Sequence, residues 1–325
     1  MQLRAGLRVV RRALDEVQLG TDTRWAVRVS GLTPEQADRL ARAGDRRLDP
    51  WLPAELLEDL AAAGAIRPRR PREARVPPAS APDAHAYALT RAHEDGGDVL
   101  RARARATVAV AGLGRTGLAL AQSLAAAGVG ALVLDDAAPV RPSDVGTGAG
   151  EADVGRPRDE VAAGLLRAAA PHVRLRPAGR TAPDVAVTVA ADVADPGTAL
   201  HLLTTGVPHL AVVLREADAL VGPFVRPGSG LACVRCLDLH HADADPAWPL
   251  VLAQLGLRER GDRAGVPAAL AHVAAGLATA EVLTHLDGGT PRTAGARYEI
   301  ALPAVEPRRR RWAAHPDCGC AALAT

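Results

Sequence analysis

Thr107-Val-Ala-Val-Ala111, followed at once by Gly112-Leu-Gly114-Arg-Thr-Gly117, is the stretch that decides the fold. Five uncharged, largely apolar residues in a row are typical of a buried parallel strand. The glycine turn leads into a segment rich in alanine and leucine, so the pattern predicts a strand, a turn and a helix. Gly112 permits the tight turn, Gly114 lets a phosphate approach the backbone, and Gly117 lets helix and strand pack closely.

The next strand, at 131–134, ends in Asp135-Asp136. Asp136 follows Gly117 by 19 residues, which is where an acid can accept hydrogen bonds from both ribose hydroxyls. Free amides and the helix dipole favour an anion at the turn. We therefore expect the three glycines, Arg115 and Asp136 to contact a nucleotide. Two questions stay open. Arg115 either obstructs the loop or binds phosphate. The turn either binds a nucleotide or serves only the packing of the helix on the strand.

Strands and helices continue to alternate beyond this point, which predicts a Rossmann-like, doubly wound α/β domain. The expected helices lie at 159–170 and 198–205, and the expected strands at 173–175, 185–189 and 210–213. The last hundred residues hold a long helix at 267–286, strands near 298–302 and 310–313, and all the cysteines.

The first 66 residues have the composition of a separate, small α+β domain resembling a winged helix. Strand-like segments at 7–12, 16–19 and 25–30 precede Thr33-Pro-Glu-Gln36, a capping box with proline at the first helical position. A second helix is expected from Pro53 to Gly64. Residues 67–99 begin with arginines and prolines and are predicted to be a linker. The predicted domains are thus 1–66, 67–99 and 100–325.

The composition limits the chemistry. The chain has 39 basic and 37 acidic residues, a net charge of +2, which argues against a general affinity for polyanions. It contains neither lysine nor asparagine, so a lysine Schiff base and a phosphate-binding P-loop lysine are excluded. We find no signal peptide and expect no membrane-spanning stretch, which predicts a cytoplasmic protein.

Four cysteines form two close pairs, Cys233-Val-Arg-Cys236 and Cys318-Gly-Cys320. Two pairs of thiolates can complete a tetrahedral site around zinc, and in a reducing compartment a metal is favoured over disulfides. A redox pair and free buried thiols are the alternatives. His240, His241 and His315 lie close in sequence, but we interpret them as neighbours of the site and not as ligands.

Together, the glycine turn, Asp136, Asp153-Val-Gly-Arg-Pro-Arg158 and the cysteine pairs resemble the ThiF-like family, which also includes ubiquitin-activating enzymes, over residues 100–322. The resemblance implies a structural zinc ion held by the two cysteine pairs and an ATP site at the glycine turn. It also implies transfer of AMP to the C-terminal carboxylate of a peptide or small protein. Magnesium and cationic side chains would neutralise the phosphate charge.

Several positions depart from the family's pattern. Asp136 matches the ribose-binding acid, and Arg158 stands where the family has a phosphate-contacting lysine. The family's Ser-Asn-Leu-x-Arg segment is Ser143-Asp-Val-Gly-Thr147 here, so the asparagine and the catalytic arginine are replaced. Asp192 is the candidate for the family's metal-binding aspartate, with Asp195 as a second. The resemblance therefore implies Arg158 and Asp192 as the catalytic residues.

The N-terminal segment is similar to PqqD-type winged-helix modules, which bind leader peptides by strand addition. In the machinery for azoline-bearing peptides, such modules are fused to ThiF-like domains that present the peptide to a cyclodehydratase. Two hypotheses follow: an ATP-dependent adenylyltransferase, and a catalytically degenerate scaffold that binds a precursor peptide. Both imply a peptide or small-protein substrate and a partner enzyme, in a homodimer or hetero-oligomer.

Other classes fit the sequence less well. A nicotinamide dehydrogenase would share the turn and the acid but leaves both cysteine pairs unexplained. DNA binding is disfavoured because the segment 53–64 carries three acidic residues and no arginine. Arg308–Arg311 is interpreted as a solvent-exposed edge strand, with a groove for an acidic peptide or a subunit interface as alternatives.

Overall fold

The computed structural model describes residues 1–43, 48, 52–68, 80–90, 96–179, 182–257 and 265–320. The chain divides into two compact units, Met1–Arg101 and Ala102–Thr325.

The first unit contains a three-stranded antiparallel sheet and short helices. Its strands are β1 (Gln2–Leu3), β2 (Val9–Arg11), β3 (Val17–Leu19), β4 (Val27–Val29) and β5 (Ile66–Arg67), of which β2, β3 and β4 form the sheet and β1 pairs with β5. The helices are α1 (Pro34–Ala41) and α2 (Ala54–Ala62). The capping box is confirmed. The backbone N–H of Gln36 donates to Thr33 Oγ1, and the backbone N–H of Thr33 donates to the side-chain Oε1 of Gln36. Val17, Leu19 and Leu40 are fully buried in its core.

Part of the predicted linker at 67–99 is helical. Residues 81–90 form α3 (Ala81–Thr90), and a further helix, α4 (Gly96–Arg103), begins within the same range. Alanine is the strongest helix former, and Ala84 and Ala88 lie one turn apart on the buried face of α3. Arg4 secures this helix by donating hydrogen bonds to the carbonyls of Ala88 and Leu89. Residues 69–79, which hold most of the prolines, lie outside the described part of the chain.

The second unit is built on an eight-stranded mixed sheet. Its strand order is β8–β7–β6–β9–β10–β11–β12–β13. The strands from β8 to β10 are parallel, and the last three are antiparallel. The bounds are β6 (Thr107–Ala111), β7 (Ala131–Asp135), β8 (Arg174–Arg176), β9 (Val185–Ala191), β10 (His209–Leu214), β11 (Asp218–Val225), β12 (Ala296–Ala301) and β13 (Glu306–Arg311). This confirms the doubly wound α/β class; β11, which the sequence analysis did not predict, starts the antiparallel part.

Helices cover this sheet. They are α5 (Arg115–Ala126), α6 (Arg158–Ala169), α7 (Pro196–Thr204), α8 (Val234–Ala244), α9 (Trp248–Leu257) and α10 (Ala268–Leu286). One continuous core joins α5, α6 and α10 to the central strands, with Val108, Leu120 and Leu270 fully buried. In a chain with seven aromatic residues, small aliphatic side chains fill this core.

By length and composition, α10 does meet the criteria for a membrane span, contrary to the expectation from sequence. It is, however, the central core helix of the unit, since Leu270, Ala274, Ala278 and Val282 are fully buried against the sheet and α5. The carboxylate of Glu281 is buried as well and accepts hydrogen bonds from the backbone and hydroxyl of Thr293.

Candidate functional site

The glycine turn between β6 and α5 has no room for side chains at two of its three glycines. Gly112 has a φ of +89°, and a Cβ atom there would lie 2.1 Å from the Val189 carbonyl oxygen. A Cβ on Gly117 would lie 1.8 Å from the Gly112 carbonyl oxygen. Backbone packing between the turn, α5 and β9 therefore requires glycine at both positions. Gly114 differs, since it is the N-cap of α5 and only a carboxylate oxygen of Asp144 lies near its Cβ position, at 3.3 Å.

Asp136 follows β7 and organises this turn. Its Oδ2 accepts hydrogen bonds from the Leu113 amide at 2.7 Å and from Arg158 Nη1 at 3.2 Å, and its Oδ1 accepts from the Ala138 amide at 3.1 Å. The residue is 9% exposed. The structure thus brings the predicted ribose-binding acid to the glycine turn, where protein donors already bind both of its oxygens.

Arg158, at the start of α6, lies between two carboxylates. Its Nε and Nη2 both donate to Asp144 Oδ2, at 2.9 and 2.6 Å, while Nη1 reaches Asp136. Burial lowers the pKa of Arg158, but the hydrogen bonds and negative charges of the two aspartates raise it above its ordinary value overall. The guanidinium is therefore permanently charged, and this charge is already paired within the protein.

The guanidinium of Arg115 binds backbone carbonyls. Its Nε and Nη2 donate to the Val145 carbonyl at 3.1 and 2.6 Å, and Nη1 donates to the Val266 carbonyl at 3.0 Å. These bonds use three of the five N–H donors of the guanidinium. In this structure Arg115 links two backbone segments.

Asp192 lies at the carboxyl end of β9, on the same edge of the sheet as the glycine turn, because β6 and β9 run parallel. Its φ is +65°, and its amide donates to the Leu214 carbonyl at 2.8 Å. It lines a cavity of about 120 Å³ between the sheet and helices α8 and α9. We call this the second cavity, to distinguish it from the predicted nucleotide site at the glycine turn. Of the two predicted catalytic residues, Arg158 thus contacts the acid at the glycine turn, and Asp192 lines this cavity.

The second cavity collects polar residues from distant parts of the chain. Beside Asp192 it is lined by Arg215, Asp238, His241, Trp248 and Arg297. Burial raises the pKa of Asp238 to about 6, against the lowering effects of the nearby Trp248 indole and of the charge of Arg297. Burial and the charge of Arg297 lower the pKa of His241. A concave site with convergent polar groups and shifted pKa values is typical of ligand binding.

The four cysteines meet in one cluster. The Sγ atoms of Cys233 and Cys236 are 3.8 Å apart, those of Cys233 and Cys318 3.5 Å, and those of Cys236 and Cys320 3.4 Å. A disulfide has its sulfurs at about 2.0 Å, whereas four sulfurs at about 2.3 Å from zinc lie about 3.8 Å apart in a tetrahedron. Burial raises the pKa of Cys233 and of Cys320. The set can hold a metal ion, whose positive charge would stabilise the thiolates.

One of the nearby histidines, His315, contacts the cysteine cluster. The His315 amide donates to Cys236 Sγ at 3.3 Å. Its ring accepts at Nδ1 from the Asp317 amide, so Nε2 carries the proton and donates to Asp243 at 2.9 Å. His240 Nε2 contacts the Ala313 carbonyl at 3.0 Å. His240 and His315 thus lie near the cluster, whereas His241 lines the second cavity. Their interpretation as neighbours and not ligands stays a prediction.

A match to the ThiF family model covers residues 85–322, nearly three quarters of the chain. The chain belongs to the ThiF family. Several solved structures also resemble this chain over nearly its whole length. E. coli MccB with ATP superposes with a TM-score of 0.72 at 16% identity, covering 99% of this chain and 100% of that one. E. coli MccB with AMPCPP and selenomethionine MccA gives 0.73 at 16% identity, covering 99% of both chains.

PaaA has a TM-score of 0.63 at 16% identity over 79% of this chain and 91% of its own. Comparison with curated proteins gives no match. At these identities the solved ThiF-type structures establish the fold alone, and the roles of the individual site residues remain predictions.

Sequence reasoning found the glycine turn, Asp136, Arg158 and the cysteines, but missed the second cavity. Arg215, Trp248 and Arg297 follow no local motif. The sequence signal that could have indicated this cavity is the rarity of aromatic residues, since the chain has four tryptophans in 325 residues. His241 contacts two of them, Trp248 and Trp312, at ring-centroid distances of 5.0 and 5.2 Å.

Proposed function

We propose that this ThiF-family protein binds a precursor peptide and presents it to a separate modifying enzyme, without adenylating it efficiently. The observation that supports this is the Asp136–Arg158–Asp144 cluster at the glycine turn. Adenylation needs cations that stabilise phosphate in the transition state. Here Arg158 is neutralised by one carboxylate and placed next to another, so the cluster has a net charge of −1 with both acids ionised.

The position of Asp144 strengthens this argument. Its Oδ1 lies 3.3 Å from the Cβ position of Gly114, at the start of α5. A helix N-terminus of this kind attracts an anion, and here the protein's own carboxylate lies beside it. A triphosphate would meet that negative charge at close range. Losing a single transition-state donor costs about 100-fold or more in rate.

Peptide binding is supported by two features. The first unit has a small antiparallel sheet whose outer strands, β2 and β4, each pair with β3 alone within the described residues, so strand addition by a leader peptide is possible there. The second cavity offers a concave site that combines apolar and charged side chains at the carboxyl edge of the large sheet. Solved structures of this fold hold MccA, which adds support by analogy.

For the cysteine cluster we propose zinc in a structural role. Cys233 and Cys236 lie at the start of α8, and Cys318 and Cys320 near the C-terminus, so one ion would join two distant segments. A site with four protein ligands has no position left for a substrate. Four reduced thiols also fit a reducing compartment, and we propose the cytoplasm.

The deciding experiment is calorimetry of the full chain with short precursor peptides encoded beside its gene, with and without ATP and magnesium. We expect micromolar peptide binding that ATP leaves unchanged. Pyrophosphate exchange is measured on the same samples. Peptide-dependent exchange at a rate typical of enzymes, about 1 per second or faster, would overturn the proposal.

An adenylyltransferase is the second candidate, and the retained geometry of the turn favours it. Gly112, Gly114, Gly117 and Asp136 meet at the turn after β6, and a glycine turn with an acid after the next strand is the pattern expected of a nucleotide site. In that case Arg158 would leave Asp144 and contact phosphate, and magnesium would supply the missing positive charge. The exchange assay separates the two candidates directly.

A further inference from the structure

Among the described residues, strand β13 forms one edge of the large sheet. It pairs with β12 on one side, and it is the last strand of the sheet in the described part of the chain. All six of its residues are exposed, and the last four are arginines, Arg308–Arg311. An edge strand with open hydrogen-bonding groups accepts a further strand unless its side chains prevent this.

The backbone direction can be read from the register. The Trp312 amide donates to the Gly295 carbonyl of the neighbouring segment. Because amides alternate in direction along a strand, those of Arg308 and Arg310 also point towards β12, and those of Arg309 and Arg311 point outward. Pro307, which has no amide hydrogen, falls on the outward side, as expected for proline in an edge strand. The free edge therefore offers two amide donors, each in an arginine.

The arginine side chains divide between the two faces of the sheet. Arg310 lies opposite Arg297, and its guanidinium stacks 4.2 Å from the centre of the Trp312 ring. Arg309 and Arg311 are on the other face, with Arg309 opposite Tyr298. An added strand would thus meet positive charge on both faces.

The charges of these arginines determine which kind of chain can pair with β13. If a second copy paired through the same edge, arginines would face arginines, which is unfavourable for directly opposed residues. An extended acidic segment would place carboxylates beside the guanidinium groups and its amides and carbonyls against the free edge. A nucleic acid would satisfy the charges but not the alternating backbone groups.

We propose that β13 is a docking strand for an extended, acidic segment of a partner protein, which binds by β-strand addition. This goes beyond the proposed function, because it assigns a second recognition surface that is independent of the glycine turn and of the precursor peptide. The opposite edge strand, β8, also carries two arginines but has three residues, which leaves fewer backbone groups for pairing.

The test uses the full chain and a fluorescent peptide of eight residues in which glutamate and threonine alternate, measured by anisotropy. Arg309→Pro removes an outward amide hydrogen and leaves the bonds to β12 intact, while Arg309→Ala removes the same charge and keeps the amide. We expect affinity to fall about tenfold further in Arg309→Pro than in Arg309→Ala. The double reversal Arg309→Glu with Arg311→Glu should abolish binding.

Arg174→Glu on β8 is the matched control and should bind the peptide like the unchanged protein. Circular dichroism and thermal melting establish that each variant is folded. Equal affinity of Arg309→Pro and Arg309→Ala would overturn strand addition. Tighter binding of a single-stranded oligonucleotide, unaffected by Arg309→Pro, would identify a nucleic-acid surface and overturn the acidic-peptide assignment.

Discussion

Asp144 and Arg158 form a partly buried ion pair in which one carboxylate oxygen, Oδ2, accepts hydrogen bonds from both Nε and Nη2 of the guanidinium, at 2.9 and 2.6 Å. The same oxygen also accepts from the Arg141 amide at 2.9 Å. Three donors on one oxygen hold the carboxylate beside Gly114. An acidic side chain thereby lies beside the N-terminus of α5, where the sequence predicts phosphate binding.

Replacing Asp144 should therefore improve nucleotide binding. In Asp144→Asn the negative charge is lost and Arg158 is free to contact phosphate, so we expect the affinity for ATP to rise by about tenfold, or 1.4 kcal/mol. Calorimetry with ATP and magnesium measures this. Asp153→Asn, which breaks the exposed pair with Arg156, is the control. Unchanged ATP affinity in Asp144→Asn would contradict the role given to this carboxylate.

The two alanine variants in the glycine turn should differ. Gly117→Ala places a methyl group 1.8 Å from a backbone oxygen, whereas in Gly114→Ala the nearest atom is a side-chain oxygen at 3.3 Å. Overpacking costs about 1–3 kcal/mol, so Gly117→Ala should unfold at lower denaturant concentration and Gly114→Ala should stay close to the original. Equal stability of the two variants would show that the turn relaxes more than its packing implies.

Arg103 and Asp287 form a buried ion pair, through two hydrogen bonds of 2.8 and 2.6 Å between side chains that are 0% and 4% exposed. Asp287→Ala should lower the free energy of unfolding by about 3–5 kcal/mol, because it leaves a buried charge without its carboxylate. Denaturant titration measures the loss. Glu306→Gln, in an exposed pair with Arg308, should change stability by about 0.5 kcal/mol or less.

Removing the metal should loosen the C-terminal segment. We expect one zinc per chain by elemental analysis, and Cys318→Ser or a strong chelator should lower Tm by about 5 °C or more, since 1 kcal/mol moves Tm by about 2–4 °C in a domain of this size. Ser229→Ala, in the loop before the cysteines, should melt like the original. A metal-free protein with all four thiols open to alkylation would exclude the site.

His209 should make stability depend on pH. It is 2% exposed, and burial lowers its pKa below 6.5, although the hydrogen bond to the Val207 carbonyl opposes this. The folded state therefore binds fewer protons than the unfolded state, and its stability falls as the pH drops below about 6.5. His209→Gln should show a shallower fall between pH 7 and 5 in denaturant titrations. Identical slopes would contradict the assignment.

Local patterns predicted much of the fold. The alternation of strands and helices after Thr107 predicted the doubly wound domain, and Thr33 and Gln36 predicted the start of α1, because these signals depend on residues within one or two turns of each other. The cysteine pairs likewise indicated a shared site. The helix Ala81–Thr90 was not predicted, because the prolines of segment 67–99 favour a linker while the alanines within it form a helix.

The amino-acid sequence by itself determined the glycine turn, the acid after β7 and the four thiols, since each is a short motif with its own chemistry. Only the tertiary structure decided that Asp144 forms an ion pair with Arg158. The same holds for the cavity shared by Asp192, His241, Trp248 and Arg297. Those meetings depend on the order and register of the strands and on how α8 and α9 pack on the sheet. Such contacts join residues far apart in the chain, and no local pattern encodes them.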